Sequence, residues 1–165
     1  MNLKTVRIFL IVVLMNTIMV SAARADIGYH VGDTAPGFTL KTLTGKKVSL
    51  DSLRQKGPVL LVFWATECVY CYSHISDFNA LHDKYHNKGL TVAAINVAGE
   101  YDPEVAEYVR DNQLRYLVLS DRLNNIDAAN AYHVVGTPTM VVVSPTGKVV
   151  YYGYDIPDVR QWLKN

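Results

Sequence analysis

The stretch VLLVFWATECVYC, residues 59–71, decides the fold of this 165-residue chain. It begins with seven apolar residues in a row, Val59 to Ala65, which predict a strand buried on both faces of a sheet. Cys68 and Cys71, the only two cysteines in the sequence, follow at Cys-x-x-Cys spacing, and a helical pattern starts directly after them. The sequence therefore places a dithiol between a core strand and the N-terminus of a helix.

The first 25 residues have the pattern of an export signal. Basic residues precede an apolar run at residues 8–20, and Ala23-Arg24-Ala25 supplies an Ala-x-Ala cleavage site. The run is short for a membrane span of about 20 residues, so cleavage after Ala25 is favoured over an uncleaved membrane anchor. Residues 26–165 are then predicted to form one exported domain in an oxidising compartment, where disulfides persist. A formal net charge of +1 gives no indication of a nucleic-acid partner.

Strand and helix patterns alternate along the rest of the chain. The dithiol helix is predicted to end near Gly89. The other predicted elements are a hairpin within residues 29–47, a strand at 90–97, a helix from Asp102, a strand at 116–119, a helix at 126–132, a hairpin at 140–152 and a final helix at 155–165. This order predicts an α/β fold whose central mixed sheet has helices on both faces.

The position of the dithiol suits thiol–disulfide exchange. The unpaired N–H groups and partial positive charge of a helix N-terminus favour a thiolate, which is the reactive form of cysteine. Cys68 would lie at the exposed end and attack a partner disulfide, and Cys71, inside the first turn, would resolve the mixed disulfide. A purely structural disulfide is disfavoured because the loop it closes is very small. A structural zinc site would need further ligands, and the sequence has no second cysteine pair.

A second motif, Gly136-Thr137-Pro138-Thr139, places a proline at the start of a strand and is a candidate for a cis peptide bond. Together with VFWATECVYC and the closing hairpin and helix, it resembles the thioredoxin fold. VGDTAPGFTL at residues 31–40 and GKKVSL at 45–50 resemble the N-terminal hairpin of the TlpA/ResA-like branch. That branch comprises exported, often membrane-tethered thiol–disulfide oxidoreductases, and its inserted α-β element would correspond to residues 90–130.

The resemblance implies roles for particular residues. Cys68 and Cys71 would be a redox-active disulfide that needs no cofactor or metal, and Pro138 would be a cis-proline facing it. The backbone of Thr137 would pair with a bound substrate chain, and Trp64 would be the aromatic residue just before the site. Many members of the branch reduce apocytochrome c or other exported thiol proteins with electrons from a membrane thiol transporter. The resemblance therefore implies protein thiols and disulfides as partners, with cytochrome c biogenesis as one context.

The dithiol motif itself departs from the pattern of the branch. Glu67 precedes Cys68 where tryptophan is common, and Val69-Tyr70 stands where a proline is frequent. These three residues are predicted to shape the substrate surface. The charge of Glu67 opposes a thiolate on Cys68, so the pair should be more reducing, which favours a reductase over an oxidase.

A further departure concerns proton transfer. Thioredoxin has a buried aspartate where this chain has Val62, so that proton acceptor is missing. Glu100, near the end of the next strand, and Glu67 are the hypothetical proton acceptors for Cys71. A solvated loop carboxylate is the alternative interpretation of both.

Two other functions fit the sequence less well. Thr66 and Cys68 fall roughly where a thiol peroxidase has its peroxidatic pair, but Trp64-Ala65 does not supply the proline-led loop of such enzymes. A metal-handling thioredoxin-like module would space its cysteines more widely and add a histidine ligand. Thiol–disulfide exchange with proteins is therefore the leading prediction.

Overall fold

The computed structural model describes residues 26–122 and 127–163, so the predicted export signal lies outside the described residues. Within these ranges the elements are, in chain order, β1 (Thr39–Thr42), β2 (Lys47–Ser49), α1 (Leu50–Arg54), β3 (Val59–Trp64), α2 (Val69–Ser73), α3 (Ile75–Tyr85), β4 (Thr91–Asn96), α4 (Asp102–Asp111), β5 (Leu117–Ser120), α5 (Asp127–Ala131), β6 (Thr139–Val143) and β7 (Val149–Gly153). Short 3-10 helices span His86–Lys88 and Val159–Trp162. No helix in the described ranges has the length and apolar character that a membrane span requires.

The described strands form one mixed sheet in the order β2-β1-β5-β4-β3-β6-β7. Strands β3, β4 and β5 run parallel, whereas the pairs β1-β2, β1-β5, β3-β6 and β6-β7 are antiparallel. Trp64 pairs with Asn96 and Phe63 with Thr139, so β3 and β4 end where β6 begins. We call this the dithiol end of the sheet. The parallel centre and antiparallel edges confirm the predicted fold class.

Strand β3 lies in the interior of the sheet, between β4 and β6, and every one of its six residues is buried. Successive side chains point to opposite faces, and they enter two separate cores. Leu60, Val62 and Trp64 pack with Phe78 of α3 on one face. Leu61 and Phe63 pack on the other face, where α1 and α5 contribute. Each such side chain contributes about 1.5–3 kcal/mol by leaving water, which explains why an unbroken apolar run forms this strand.

The helical region after the dithiol is divided at His74. The sequence predicts one helix up to Gly89, whereas α2 ends at Ser73 and α3 begins at Ile75. The N–H of His74 bonds back to the carbonyls of Cys71 and Tyr72, which tightens and closes the first helix. The predicted stop is confirmed, since Gly89 has a φ of 93°, a conformation that favours glycine.

The N-terminal hairpin and the inserted element are both present. Leu40 pairs with Val48 across β1 and β2, and α1 starts through a reciprocal capping box of Ser49 and Ser52. The inserted strand β5 lies between β4 and β1, so the insertion joins the hairpin to the rest of the sheet.

The predicted C-terminal helix at residues 155–165 is wrong over the described part of the chain. Only Val159–Trp162 form a turn of 3-10 helix there. The turn starts at Asp158, whose carboxylate accepts a hydrogen bond from the N–H of Arg160 at 3.1 Å. Pro157 has no N–H and lies before this cap, so the residues ahead of Asp158 do not join the helix.

Candidate active site

Cys68 and Cys71 form a disulfide at the N-terminus of α2, with Cα atoms 5.2 Å apart. Cys68 is the N-cap residue, and its Sγ accepts a hydrogen bond from the N–H of Cys71 at 3.1 Å. Cys71 is 4% exposed, whereas Cys68 is only partly buried. A partner protein therefore reaches the sulfur of Cys68 first. This geometry agrees with attack by Cys68 and resolution by Cys71, which remain predicted roles.

The loop before β6 lies beside the dithiol. The Thr137–Pro138 peptide bond is cis, as the motif indicated. Because Thr139 pairs with Phe63, Pro138 lies at the dithiol end, next to the loop that leaves β3. The hydroxyl of Thr139 donates to the carbonyl of Gly136 at 2.6 Å and closes the turn. Within the described residues the backbone N–H and C=O of Thr137 have no hydrogen-bond partner, so both can pair with another chain.

Large apolar side chains are exposed at the dithiol end of the sheet. Val69 is 77% exposed and Tyr70 is 73% exposed, as expected for residues that shape a binding surface. Three further exposed residues, Tyr72 on α2, Tyr101 after β4 and Val135 before the cis-proline, share this end of the sheet. Sequence analysis missed these three because an isolated aromatic or valine gives no sign of exposure. Grouped exposed apolar residues are typical of protein-binding surfaces.

Trp64 and Glu67 occupy opposite environments. Trp64 is 4% exposed and its ring lies 5.3 Å from the ring of Tyr108. It therefore supports the site from inside, and its role in shaping the site or binding substrate stays a prediction. Glu67 is exposed beside Cys68, and within the described residues it forms no ion pair or hydrogen bond. Its charge therefore acts on the dithiol without a compensating cation.

Glu100 is bound to the loop that carries the dithiol. One carboxylate oxygen accepts a hydrogen bond from the N–H of Thr66 at 3.0 Å and another from its hydroxyl. The other oxygen accepts a hydrogen bond from the side-chain amide of Asn96, which is fully buried. Glu100 thus links the end of β4 to a residue two positions before Cys68. Whether it also accepts a proton from Cys71 remains a hypothesis.

The hydrogen bond between Thr66 and Glu100 disfavours the thiol peroxidase alternative. The hydroxyl of Thr66 donates to Glu100 and is not directed to a peroxide beside Cys68. For a metal-handling module, no group of three His, Cys, Asp or Glu side chains in the described ranges is arranged to hold a metal. A cavity of about 570 Å³ that includes Lys46, Lys56 and His82 lies near the start of β4, away from the dithiol.

A small cavity of about 10 Å³ lies behind Cys71. Val62, at the position of the missing aspartate, is one of its walls, and Trp64 and Tyr108 are others. The remaining lining residues are Ile75, Phe78, Ala94, Leu114 and Tyr116. Burial raises the pKa of Tyr108, and the charges of Tyr72 and Glu100 raise it further. Its phenol therefore stays protonated at neutral pH.

The site combines the partly buried Cys68 and the buried Cys71 with a cis-proline at the same end of the sheet. This fold and site place the chain among the thioredoxin-fold thiol–disulfide oxidoreductases. Residues 31–152 match the AhpC/TSA family, and the chain belongs to that family.

Relatives and solved structures agree with this class. Thiol-disulfide oxidoreductase ResA of Bacillus thuringiensis subsp. konkukian is 34% identical over 121 residues, which are 73% of this chain and 68% of that protein. Thioredoxin-like protein YneN of Bacillus subtilis is 33% identical over 129 residues, which are 77% of this chain and 73% of that protein. A crystal structure of a thiol:disulfide interchange protein DsbE from Chlorobium tepidum superposes with a TM-score of 0.69 at 27% identity, covering 80% of this chain and 90% of the other. The protein is therefore a thiol–disulfide oxidoreductase, as predicted.

Proposed function

We propose that the protein is an exported reductase of protein disulfides, with Cys68 as the attacking thiol and Cys71 as the resolving thiol. The observation that carries the proposal is the pairing of a partly exposed Cys68 with a buried Cys71 beside the unpaired backbone of Thr137. This arrangement lets a substrate chain bind in extended form along Thr137 while its sulfur meets Cys68.

The reaction has two exchange steps. In the reduced protein the thiolate of Cys68 is stabilised at the N-terminus of α2, where the N–H of Cys71 points to its sulfur. It attacks one sulfur of the substrate disulfide, which forms a mixed disulfide and releases the other substrate sulfur as a thiolate. Cys71 then loses its proton and attacks the sulfur of Cys68, which releases the second substrate thiolate. The substrate gains two electrons, its two thiolates take up protons from the solvent, and the protein ends with the Cys68–Cys71 disulfide.

The substrate class follows from the surface around the dithiol. Val69, Tyr70, Tyr72, Tyr101 and Val135 expose apolar area that an unfolded segment with apolar residues around its cysteine would cover. A folded partner with a recessed disulfide could not place its backbone beside Thr137. We therefore favour an incompletely folded exported protein, and the resemblance to the TlpA/ResA-like branch makes apocytochrome c a specific candidate.

The location and the electron source rest on the sequence. The pattern of residues 1–25 supports export to the periplasm, with either cleavage after Ala25 or retention as a membrane anchor. An exported reductase needs electrons from the cytoplasmic side, so we propose a membrane thiol protein as the donor. The exposed charge of Glu67 supports the reducing direction, because it opposes the Cys68 thiolate.

Two measurements test the proposal. The first is the equilibrium of the Cys68–Cys71 pair with glutathione, for which we expect a reduction potential below about −200 mV, closer to thioredoxin than to the oxidant DsbA. A potential near about −120 mV would reverse the proposed direction. The second is trapping with Cys71→Ser in the exported fraction, with the double variant Cys68→Ser, Cys71→Ser as control. Recovery of apocytochromes supports the proposed context, and recovery of no disulfide-linked protein in the single variant contradicts a protein substrate.

A further inference from the structure

Two buried polar groups near Cys71 have no use in the chemistry described so far. The hydroxyl of Tyr108 and the indole Nε1–H of Trp64 are both inaccessible to solvent, and neither has a hydrogen-bond partner within the described residues. Leaving such a group unpaired costs about 1–3 kcal/mol. These two lie on neighbouring rings whose centres are 5.3 Å apart, whereas most buried polar groups in proteins have a hydrogen-bond partner.

Both residues line the same small cavity as Cys71. Its volume of about 10 Å³ is at the lower limit for one water molecule, which also needs two to four polar partners. Three of the residues that line it carry such groups: the Trp64 indole, the Tyr108 hydroxyl and the Cys71 sulfur. The indole can only donate, the hydroxyl can donate or accept, and the sulfur can receive a hydrogen bond when it is a thiolate. One water would therefore satisfy all three groups.

We propose that Tyr108 is a positioning residue that assists ionisation of Cys71, through one water molecule held between its hydroxyl, the Trp64 indole and the Cys71 sulfur. The inference rests on the proposed exchange reaction and concerns its second step. The hydroxyl of Tyr108 would supply a polar group in the cavity where Val62 stands in place of the buried aspartate of thioredoxin.

In this step Cys71 loses its thiol proton, which ends in bulk solvent. In the mixed disulfide, the Cys71 thiol gives its proton to the water, and a proton of the water or hydroxyl passes outward to bulk solvent. The resulting Cys71 thiolate receives a hydrogen bond from the water, which Tyr108 and Trp64 hold in place. The thiolate then attacks the sulfur of Cys68, the bond to the substrate sulfur breaks, and the substrate leaves as a thiolate that takes up a proton from solvent. Tyr108 is unchanged at the end.

Other titratable groups around Tyr108 come from several elements. Tyr72 on α2 and Glu100 after β4 both raise the pKa of Tyr108, and Tyr116 lines the same cavity. His74, at the junction of α2 and α3, is held by Asp77 at 3.0 Å. The carboxylate of Glu100 is bonded to Thr66 and Asn96, so it faces the Cys68 loop and not Cys71 directly. Tyr108 thus combines a solvent-inaccessible hydroxyl without a partner in the described residues with a place on the wall of the cavity that Cys71 also lines.

The test measures ionisation of Cys71 alone. In a Cys68→Ser variant of the full chain, the ¹³Cβ chemical shift of Cys71 reports its ionisation without a reagent having to reach the buried sulfur. Adding Tyr108→Phe removes one oxygen, and we expect the midpoint to rise by about one pH unit, a tenfold change in the ionisation constant. Tyr85→Phe is the matched control, because Tyr85 lies at the other end of α3 and does not line the cavity, and it should leave the midpoint unchanged. Equal midpoints with and without Tyr108→Phe would overturn the proposal.

A second pair of measurements guards against loss of folding and separates the two proposals. Trp64→Phe removes the indole donor while keeping an aromatic ring, and it should raise the Cys71 midpoint in the same direction; no rise would contradict the shared water. In the protein with both cysteines, Tyr108→Phe should move the pH profile of disulfide reduction upward by the same amount. If the unmodified protein fails to reduce protein disulfides, the proposed function falls, while the titration of Cys71 still decides the role of Tyr108.

Discussion

Removal of the Glu100 carboxylate should loosen the loop that carries the dithiol. Glu100 accepts hydrogen bonds from the N–H and hydroxyl of Thr66 and from the amide of Asn96. Glu100→Ala deletes all three at once. Asn96 is fully buried and cannot reach water instead, whereas Thr66 is partly exposed and can.

The size of the effect follows from which groups are left unpaired. A buried group without its partner costs about 1–3 kcal/mol, so Glu100→Ala should lower the free energy of unfolding by about 2–3 kcal/mol. Glu100→Gln keeps one oxygen for Thr66, and its amide then faces Asn96. The Oδ1 atom of Asn96 has no partner within the described residues, so a rotation of its amide by half a turn gives the new donor an acceptor. We therefore expect Glu100→Gln to cost about 1 kcal/mol or less.

Urea unfolding of the oxidised protein, followed by circular dichroism, measures both values. For a domain of this size, 2–3 kcal/mol corresponds to a fall in Tm of about 4–12 °C. A Glu100→Ala variant within about 0.5 kcal/mol of the parent, or a Glu100→Gln variant as unstable as Glu100→Ala, would refute the reasoning. If Glu100→Gln instead kept its stability and lost most of its exchange rate, Glu100 would be the proton acceptor that the sequence suggested.

Three further outcomes are expected. Phe63→Ala should cost about 3–5 kcal/mol in urea unfolding, because the ring is fully buried in the central strand; a loss below about 1 kcal/mol would contradict that packing. Glu67→Gln removes the uncompensated charge beside Cys68 and should raise the reduction potential by about 15 mV, and a fall would contradict the assigned sign. Arg160 lowers the pKa of Asp158 to about 2, so the stability from this cap is present above about pH 4 and is lost as pH falls towards 2. An NMR titration of Asp158 with a midpoint near 4 would contradict this coupling.

The parts of the fold encoded in short stretches could be predicted. The apolar run of β3 needs only its own residues to mark a buried strand, and Cys68, Cys71 and Pro138 each lie in a local motif with a known place in the fold. The helix stop at Gly89 could also be predicted, because glycine is the residue that most often adopts the positive φ at a helix C-terminus.

The parts that depend on distant partners could not be predicted. Thr66 and Glu100 are 34 residues apart, and no pattern in either segment shows that they bond. Tyr108 belongs to an amphipathic helix, and only the structure shows that it lines a cavity with Cys71 and that its hydroxyl lacks a partner in the described residues. The break at His74 is equally invisible, because the apolar spacing continues across it.

The position of β5 between β4 and β1 has a consequence for the order in which the chain folds. The hairpin of β1 and β2 joins the sheet through pairs such as Thr42 with Leu119, so its partner is made about 80 residues later in the chain. Contacts of such high sequence separation form slowly. Until they form, the unpaired backbone groups at the edge of the hairpin can pair with another chain. Lys41 and Lys47 face each other across that hairpin. Their mutual repulsion weakens the hairpin slightly, but it also keeps the waiting edge from pairing with other nascent chains.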